Sequence, residues 1–320
     1  MEYTAVIRTL GTAGEKYQQL LNSLIWQTIP PKKIIVYIAK GYPIPKETVG
    51  CEEYIYVKKG MVAQRALQYN EVTTEYILFL DDDLVLPPNF MERMYGYYIK
   101  EGVDIISPDV FQNFHLPFLG KLMMLISGRM KARYNDKKWG YKVMRNAGFS
   151  YNNNPINDVY LSQTNAGACF FCKKDIFLSI HLEDELWLDN MPYALGDDQV
   201  MFYKMYLQGL KIATLFHTNI IHLDASGNAT NPEKEKNLIY CDFRFKTIFW
   251  HRFVYLPEKI LLKRGWNIVC IGYVLLFTLF ISLLKGQFGV FRLKWNAIME
   301  AVVFIKSDEY KKLPHIRKII

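Results

Sequence analysis

The chain reads as an α/β protein: a mainly parallel central sheet flanked by helices, followed by apolar and amphipathic C-terminal helices that associate with a membrane. Three observations carry this reading. Short strand-like runs alternate with amphipathic helical stretches through the first half, the pattern of a parallel sheet covered on both sides. One of those runs, YILFLDDD at residues 76–83, is wholly apolar until it ends in three carboxylates. Late in the chain, residues 265–284 carry no charge at all.

The elements follow in order. YTAVIRT at the start is a strand, and residues 15–27 form a helix with Tyr17, Leu20, Leu21, Leu24 and Ile25 on one face. KIIVYIA is the second strand and YIYV a short third. Residues 61–70 are expected to be helical and residues 76–80 to form the next strand, buried on both faces. A helix at 89–100 and a strand at 104–107 complete the alternation. Residues 111–155 are less regular and rich in Lys, Arg, Asn and aromatics, suited to a lid or an acceptor loop. GACFFCKKDIF resumes the order as a strand leading into a helix. In LGDDQVMFYKMYLQGLKI, Asp197 and Asp198 open a helix that Gly209 ends.

Residues 265–284, as a helix, reach about 30 Å, the minimum to cross a bilayer. Basic residues on both sides (Lys259, Lys263 and Arg264; Lys285, Arg292 and Lys294) fit a helix lying in the interface, or a hairpin, better than a single crossing. Phe291, Trp295, Ile298, Val302 and Ile305 form a stripe along a further helix, interfacial or packed on the domain. The expected division is a catalytic domain over residues 1–250 and a membrane-associating part over 251–320.

A net charge of +8 suits nucleic acid, anionic lipid or phosphorylated ligands without choosing between them. No nucleic-acid module or stacking platform supports the first. Five cysteines at irregular spacing imply no disulfide framework, and Cys169 and Cys172, inside an apolar run, read as buried strand residues. The chain enters its first strand without a basic-then-apolar leader, so the catalytic part is expected on the cytoplasmic side of the cell membrane, peripheral or anchored through its C-terminal helices.

The chemistry concentrates in the acids. Asp81, Asp82 and Asp83 repel one another unless a cation sits among them, which points to a divalent metal and a phosphate-bearing ligand. If the strand continues, Asp81 and Asp83 share a face and Asp82 takes the other. Ligands of parallel sheets bind at the carboxyl ends of strands, where this cluster lies. Asp197 and Asp198 supply a second acidic site, and His222, after the apolar run NII, is placed to complete a metal site.

With AVIRTLG and WQTIPPKKIIVYIAKG at the opening, Asp81-Asp82-Asp83 after YILFL, and GDDQVMFYKMYLQGLKI downstream, the sequence resembles the inverting glycosyltransferases of family 2, membrane-associated enzymes of bacterial polysaccharide synthesis among them. The resemblance covers residues 3–255. It implies the GT-A (nucleotide-diphospho-sugar transferase) fold, a nucleotide-diphosphate sugar donor, a Mn2+ or Mg2+ ion, and a glycan or lipid-linked glycan acceptor at an anionic membrane surface. Carried over residue by residue, it makes Asp83 the metal ligand, with His222 a further candidate. Asp81 faces the ribose or the donor sugar, with Asp82 beside it. Thr9, Leu10 and Arg65 help hold the donor. Asp198 is the catalytic base, with Asp197 and Trp187 on the acceptor side. The family commonly carries an acid at the end of the second strand, toward the base, where this chain has Ala39-Lys40-Gly41. The Q-x-x-R-W motif of processive synthases is absent, so one sugar is expected per event. Two other readings are a nucleotidyltransferase that makes a nucleotide sugar and a non-catalytic membrane-peripheral binding protein. The two intact acidic sites disfavour the second, and the lack of a glycine-rich basic opening loop disfavours the first.

Overall fold

The computed structural model describes residues 1–111, 116–223 and 231–316. The chain runs β1 (Tyr3–Thr9), α1 (Glu15–Ile25), β2 (Lys33–Ala39), β3 (Glu52–Val57), β4 (Tyr76–Asp81), β5 (Leu84–Val85), α2 (Phe90–Glu101) and β6 (Ile105–Pro108). It continues with α3 (Phe118–Ile126), β7 (Met130–Arg133), β8 (Tyr141–Val143), β9 (Phe149–Asn152), β10 (Val159–Ser162), β11 (Cys169–Lys173) and α4 (Lys174–Leu178). A 3-10 segment (Leu182–Asn190) leads to α5 (Asp197–Leu207), β12 (Ile212–Leu215) and β13 (Ile221–His222). Then come α6 (Pro232–Phe249), a π-helical turn (Trp250–Tyr255), α7 (Leu261–Leu284), α8 (Phe288–Lys306) and α9 (Asp308–Lys311).

Eight strands form the central sheet in the order β10-β12-β6-β11-β4-β1-β2-β3. The β4-β1-β2-β3 half is parallel, as the alternation predicts. The other half is mixed, because β11 runs antiparallel to both β4 and β6 and β10 antiparallel to β12. The period of two along each strand divides the core. Val6, Ile35, Ile77, Phe79 and Phe170 face α5 and α6. Ala5, Ile7, Val36, Leu78 and Phe171 face α1 and α2. Cys172 belongs to the first face and Cys169 to the second, so the pair cannot share a bond or a metal.

Three sequence expectations are corrected. Residues 61–70 form a succession of turns rather than a helix. Asp189 accepts the backbone N–H of Val62 (3.0 Å) and Ala63 (2.8 Å), and Arg65 is drawn inward by acids, so side chains dictate the local path instead of a helical ladder. Within the stretch expected to be irregular, residues 116–155 fold into α3 and a small sheet β7-β9-β8. Helix α6 runs straight into the π-helical turn at residue 250, and Ala301 of α8 and Tyr310 of α9 lie in the main core with Phe249 and Phe253. The strand ends at Asp81, so Asp82 and Asp83 lie in a turn rather than on a continuing strand.

Helix α7 packs one face only. Asn267, Ile271, Val274 and Ser282 are buried, while Leu262, Trp266, Val269, Tyr273, Leu276 and Phe280 form a solvent-facing stripe at helical spacing. It alone among the described helices is long and apolar enough to cross a membrane. Helix α8 packs Ala297, Ile298 and Ala301 inward.

Candidate active site

Register and pleat assemble the site. Arg8 pairs with Asp81 across β1 and β4, and both side chains point to the α5 face. Arg8 donates to Asp81 through Nε (2.5 Å) and Nη2 (3.1 Å), a two-toothed contact matched to guanidinium geometry. One residue further on, Thr9 and Asp82 turn to the opposite face, where the Thr9 hydroxyl donates to the Asp82 carboxylate. The backbone N–H of Gly11 in turn donates to that hydroxyl (2.8 Å), which fixes the turn after β1 beside the half-exposed Leu10.

Arg65 is the hub. Buried to 3% exposure, it donates through Nη1 to Asp198 (2.6 Å) and Asp197 (2.9 Å) and through Nη2 to the Gly167 carbonyl (2.6 Å). Asp81 lies 3.8 Å away on its other side. One cation therefore ties the end of β4 to the start of α5. Gly167 has to be glycine: a Cβ there would stand 2.0 Å from Asp198 Oδ1 and 2.7 Å from Arg65 Nη2. At Gly196 the backbone is left-handed (φ +80°) and a Cβ would meet the Phe245 ring at 2.1 Å, so the entry to α5 is likewise set by a glycine.

The acids differ in charge state. Burial and the neighbouring Asp198 push Asp197 up to about 6, against the pull of Arg65 and Arg8. Asp198 goes the other way. Burial opposes its charge, but Arg65, Arg8 and the Gly167 backbone outweigh that and hold it below the usual carboxylate range. Burial also pushes Asp82 up to about 6, with Asp81 and Asp83 adding repulsion that the Thr9 hydrogen bond only partly offsets. Arg8 loses hydration to burial, yet Asp81, Asp197 and Asp198 keep it firmly charged.

Asp83 meets His222 by a separate route. The ribbon of β5 and β13 pairs Leu84 with His222, and Leu223 N–H donates to the Asp83 carbonyl (2.9 Å). His222 Nε2 then lies 3.2 Å from Asp83 Oδ2, while the buried Asp83 Oδ1 has no hydrogen-bond partner among the described residues. A carboxylate oxygen left in this state suits a hard divalent cation. Among the described residues no three His, Cys, Asp or Glu side chains are placed to share one metal ion, so phosphate and water would have to supply the remaining positions.

Sequence reasoning missed Arg8, although an arginine inside AVIRT was the visible signal, and it missed Gly167. It also missed the support behind Arg65. Glu185, fully buried, accepts from Arg252 Nε and Nη2 (both 2.8 Å) and from Trp187 Nε1 (2.8 Å), with Lys204 of α5 at 3.1 Å. Trp187 is thus a core residue, 5% exposed and packed on Phe304. Its expected place on the acceptor side is corrected: the indole N–H is spent on a buried carboxylate.

Residues 53–173 match the family model described as Glycosyl transferase family 2, which takes in Arg65, Asp81, Asp83 and Gly167 and stops short of Asp197, Asp198 and His222. No curated protein matches the chain. Among solved structures, the crystal structure of GalNAc-T7 with UDP, GalNAc and Mn2+ aligns at a TM-score of 0.50 and 13% identity, over 85% of this chain and 54% of that one. The chain thus spans about half the length of that neighbour, and at this identity the likeness is one of fold. The family 2 segment and the GT-A architecture together support a glycosyltransferase.

Proposed function

We propose that the chain is a metal-dependent inverting glycosyltransferase that moves one sugar per event from a nucleotide-diphosphate donor to a glycan acceptor. We take the acceptor to be lipid-linked and the work to be cell-surface polysaccharide synthesis on the cytoplasmic side of the membrane. The observation that carries the reading is the joining of two acidic sites at the carboxyl end of the parallel strands through the buried cation Arg65, with Arg8 beside it.

Inverting transfer is one displacement at the anomeric carbon, so it needs a proton acceptor for the attacking hydroxyl and stabilisation of the departing diphosphate. Asp198 fits the first task. It is ionised at neutral pH, its side chain is one-third exposed, and Arg65 fixes its orientation. Asp83 and His222 are the residues that would hold the cation, which would supply charge stabilisation to the diphosphate oxygens. Arg8 keeps Asp81 aimed at the strand ends, where a ribose or sugar hydroxyl would donate to it. Asp82 and Thr9 close the opposite side, with Leu10 at the rim.

The test is a thermal-shift panel of UDP, GDP, dTDP and CMP, with and without Mn2+, on the wild type and on Asp83→Ala. At a hundred times its Kd a ligand stabilises by about 2.7 kcal/mol. A metal-dependent shift for one nucleotide, lost in the variant, supports the donor site and names the base. A response to nucleoside triphosphates with release of pyrophosphate would favour a nucleotidyltransferase. Silence to every nucleotide would favour a non-catalytic membrane-peripheral protein.

A further inference from the structure

Helix α3 buries none of its residues: Phe118 is 83% exposed and Leu119 67%, with Leu122, Met123 and Leu125 also open. A soluble surface does not ordinarily carry so apolar a helix without a cover. Its position gives the cover. Gly128, just beyond its end, is so close to α7 that a Cβ there would stand 2.3 Å from Val274 Cγ2. Arg145, in the turn between β8 and β9, donates to Asn267 of α7 (2.8 Å). The unit carrying α3 is therefore seated on the packed face of α7, whose other face is the open apolar stripe.

Charge names the partner. Exposed Lys131, Lys137 and Lys138 follow α3, beside Arg129, which pairs with Asp242 (2.9 Å), and Asp136 is the single acid among residues 116–145. Exposed Lys259 and Lys263 stand at one end of α7 and Lys285 and Arg292 beyond the other, and no Asp or Glu occurs from 259 to 299. Apolar faces rimmed mainly by cations, with Asp136 and Asp242 each paired to an arginine, match an anionic bilayer surface, acyl region below and headgroups beside.

We infer that α3 and α7 dock together on an anionic bilayer, with α7 lying along the interface rather than crossing it. A helix of 24 residues, about 36 Å long, is packed on the protein from Asn267 to Ser282, and only its outer face is free for lipid. The same contact orients the site. Ala147, in the turn beside Gly128, accepts from Gln199, the residue after Asp198. The α3 surface is thus linked through one turn to the proton acceptor, which places a membrane-borne acceptor beside Asp198. This inference rests on the proposed lipid-linked transfer.

The experiment is flotation of the full chain with phosphatidylcholine vesicles, with and without phosphatidylglycerol, on the wild type, on the double variant Phe118→Ser and Leu119→Ser, and on Lys131→Glu with Lys137→Glu. Melting temperature and light scattering are recorded for each. The expected result is binding to the anionic vesicles that falls about tenfold in the double variant, and falls with salt and in the charge variant, at unchanged melting temperature. Equal binding by wild type and double variant would overturn the role of α3 and leave membrane association standing. Wild-type protein that ignores vesicles, or forms a dimer that the double variant splits, would overturn the docking altogether. The nucleotide panel above is read separately, so failure here does not count against the transferase reading.

Discussion

Asp197 and Asp198 are neighbours with opposite tendencies, and each gives a test. Asp198→Asn keeps an oxygen for Arg65 but cannot take a proton. Nucleotide affinity should stay within a factor of two or so while transfer falls by about 10²–10⁴; a variant that turns over normally would remove the base assignment. Asp197 carries a folded-state value of about 6, above its ordinary 3.8. A carboxyl raised in this way favours the fold when protonated, and that contribution is complete below 3.8 and lost as the pH rises through about 6. Asp197→Asn, neutral at every pH, should therefore stabilise the protein at pH 8 by on the order of 1–3 kcal/mol, and the gain should vanish near pH 4. Urea unfolding of both proteins across that range checks it; a gain independent of pH would point to packing instead of charge.

At the scale of elements, the 3-10 segment between α4 and α5 is the brace. Asp189 caps the turns that hold Arg65, and Glu185 anchors the segment to Arg252 and Lys204. Removing one partner of a buried pair leaves the other charge without water or counter-ion. Arg252→Ala should cost about 3 kcal/mol, read as a lower urea midpoint. A loss below about 1 kcal/mol would mean that Lys204 alone balances Glu185. None of this was legible in the sequence, because LEDELWLDN reads as an acidic surface turn until the distant Arg252 is placed over it. The turns at 61–70 escaped for the same reason. MVAQRALQYN has good helix formers, and only long-range carboxylates make the chain abandon the helix.

Across the whole molecule, the strands of the parallel half and the acid-bearing strand end were readable, because alternation and an abrupt change from apolar to charged residues are local signals. The meeting of Asp83 with His222 depends on a two-strand ribbon closing over more than a hundred residues, and the antiparallel insertion of β11 depends on packing; neither leaves a local mark. The helical C-terminus was visible as composition, and its stripe from Phe291 to Ile305 left interface and domain packing as alternatives. Ala301 and Tyr310 belong to the same core cluster as Phe249 and Phe253, so α8 and α9 pack on the main core.

The two arginines of the site have one more consequence, for the order of events. Arg8 and Arg65 are engaged by Asp81, Asp197 and Asp198, so Asp82 and Asp83 stand at the strand ends without an arginine partner, held by Thr9 and His222 instead. A bare diphosphate arriving there meets like charge, whereas its chelate with a divalent ion brings the missing positive charge with it. Under the proposed transfer, the species suited to the resting site would be the metal–nucleotide complex, and free nucleotide in excess of metal would be a bystander rather than a competitor.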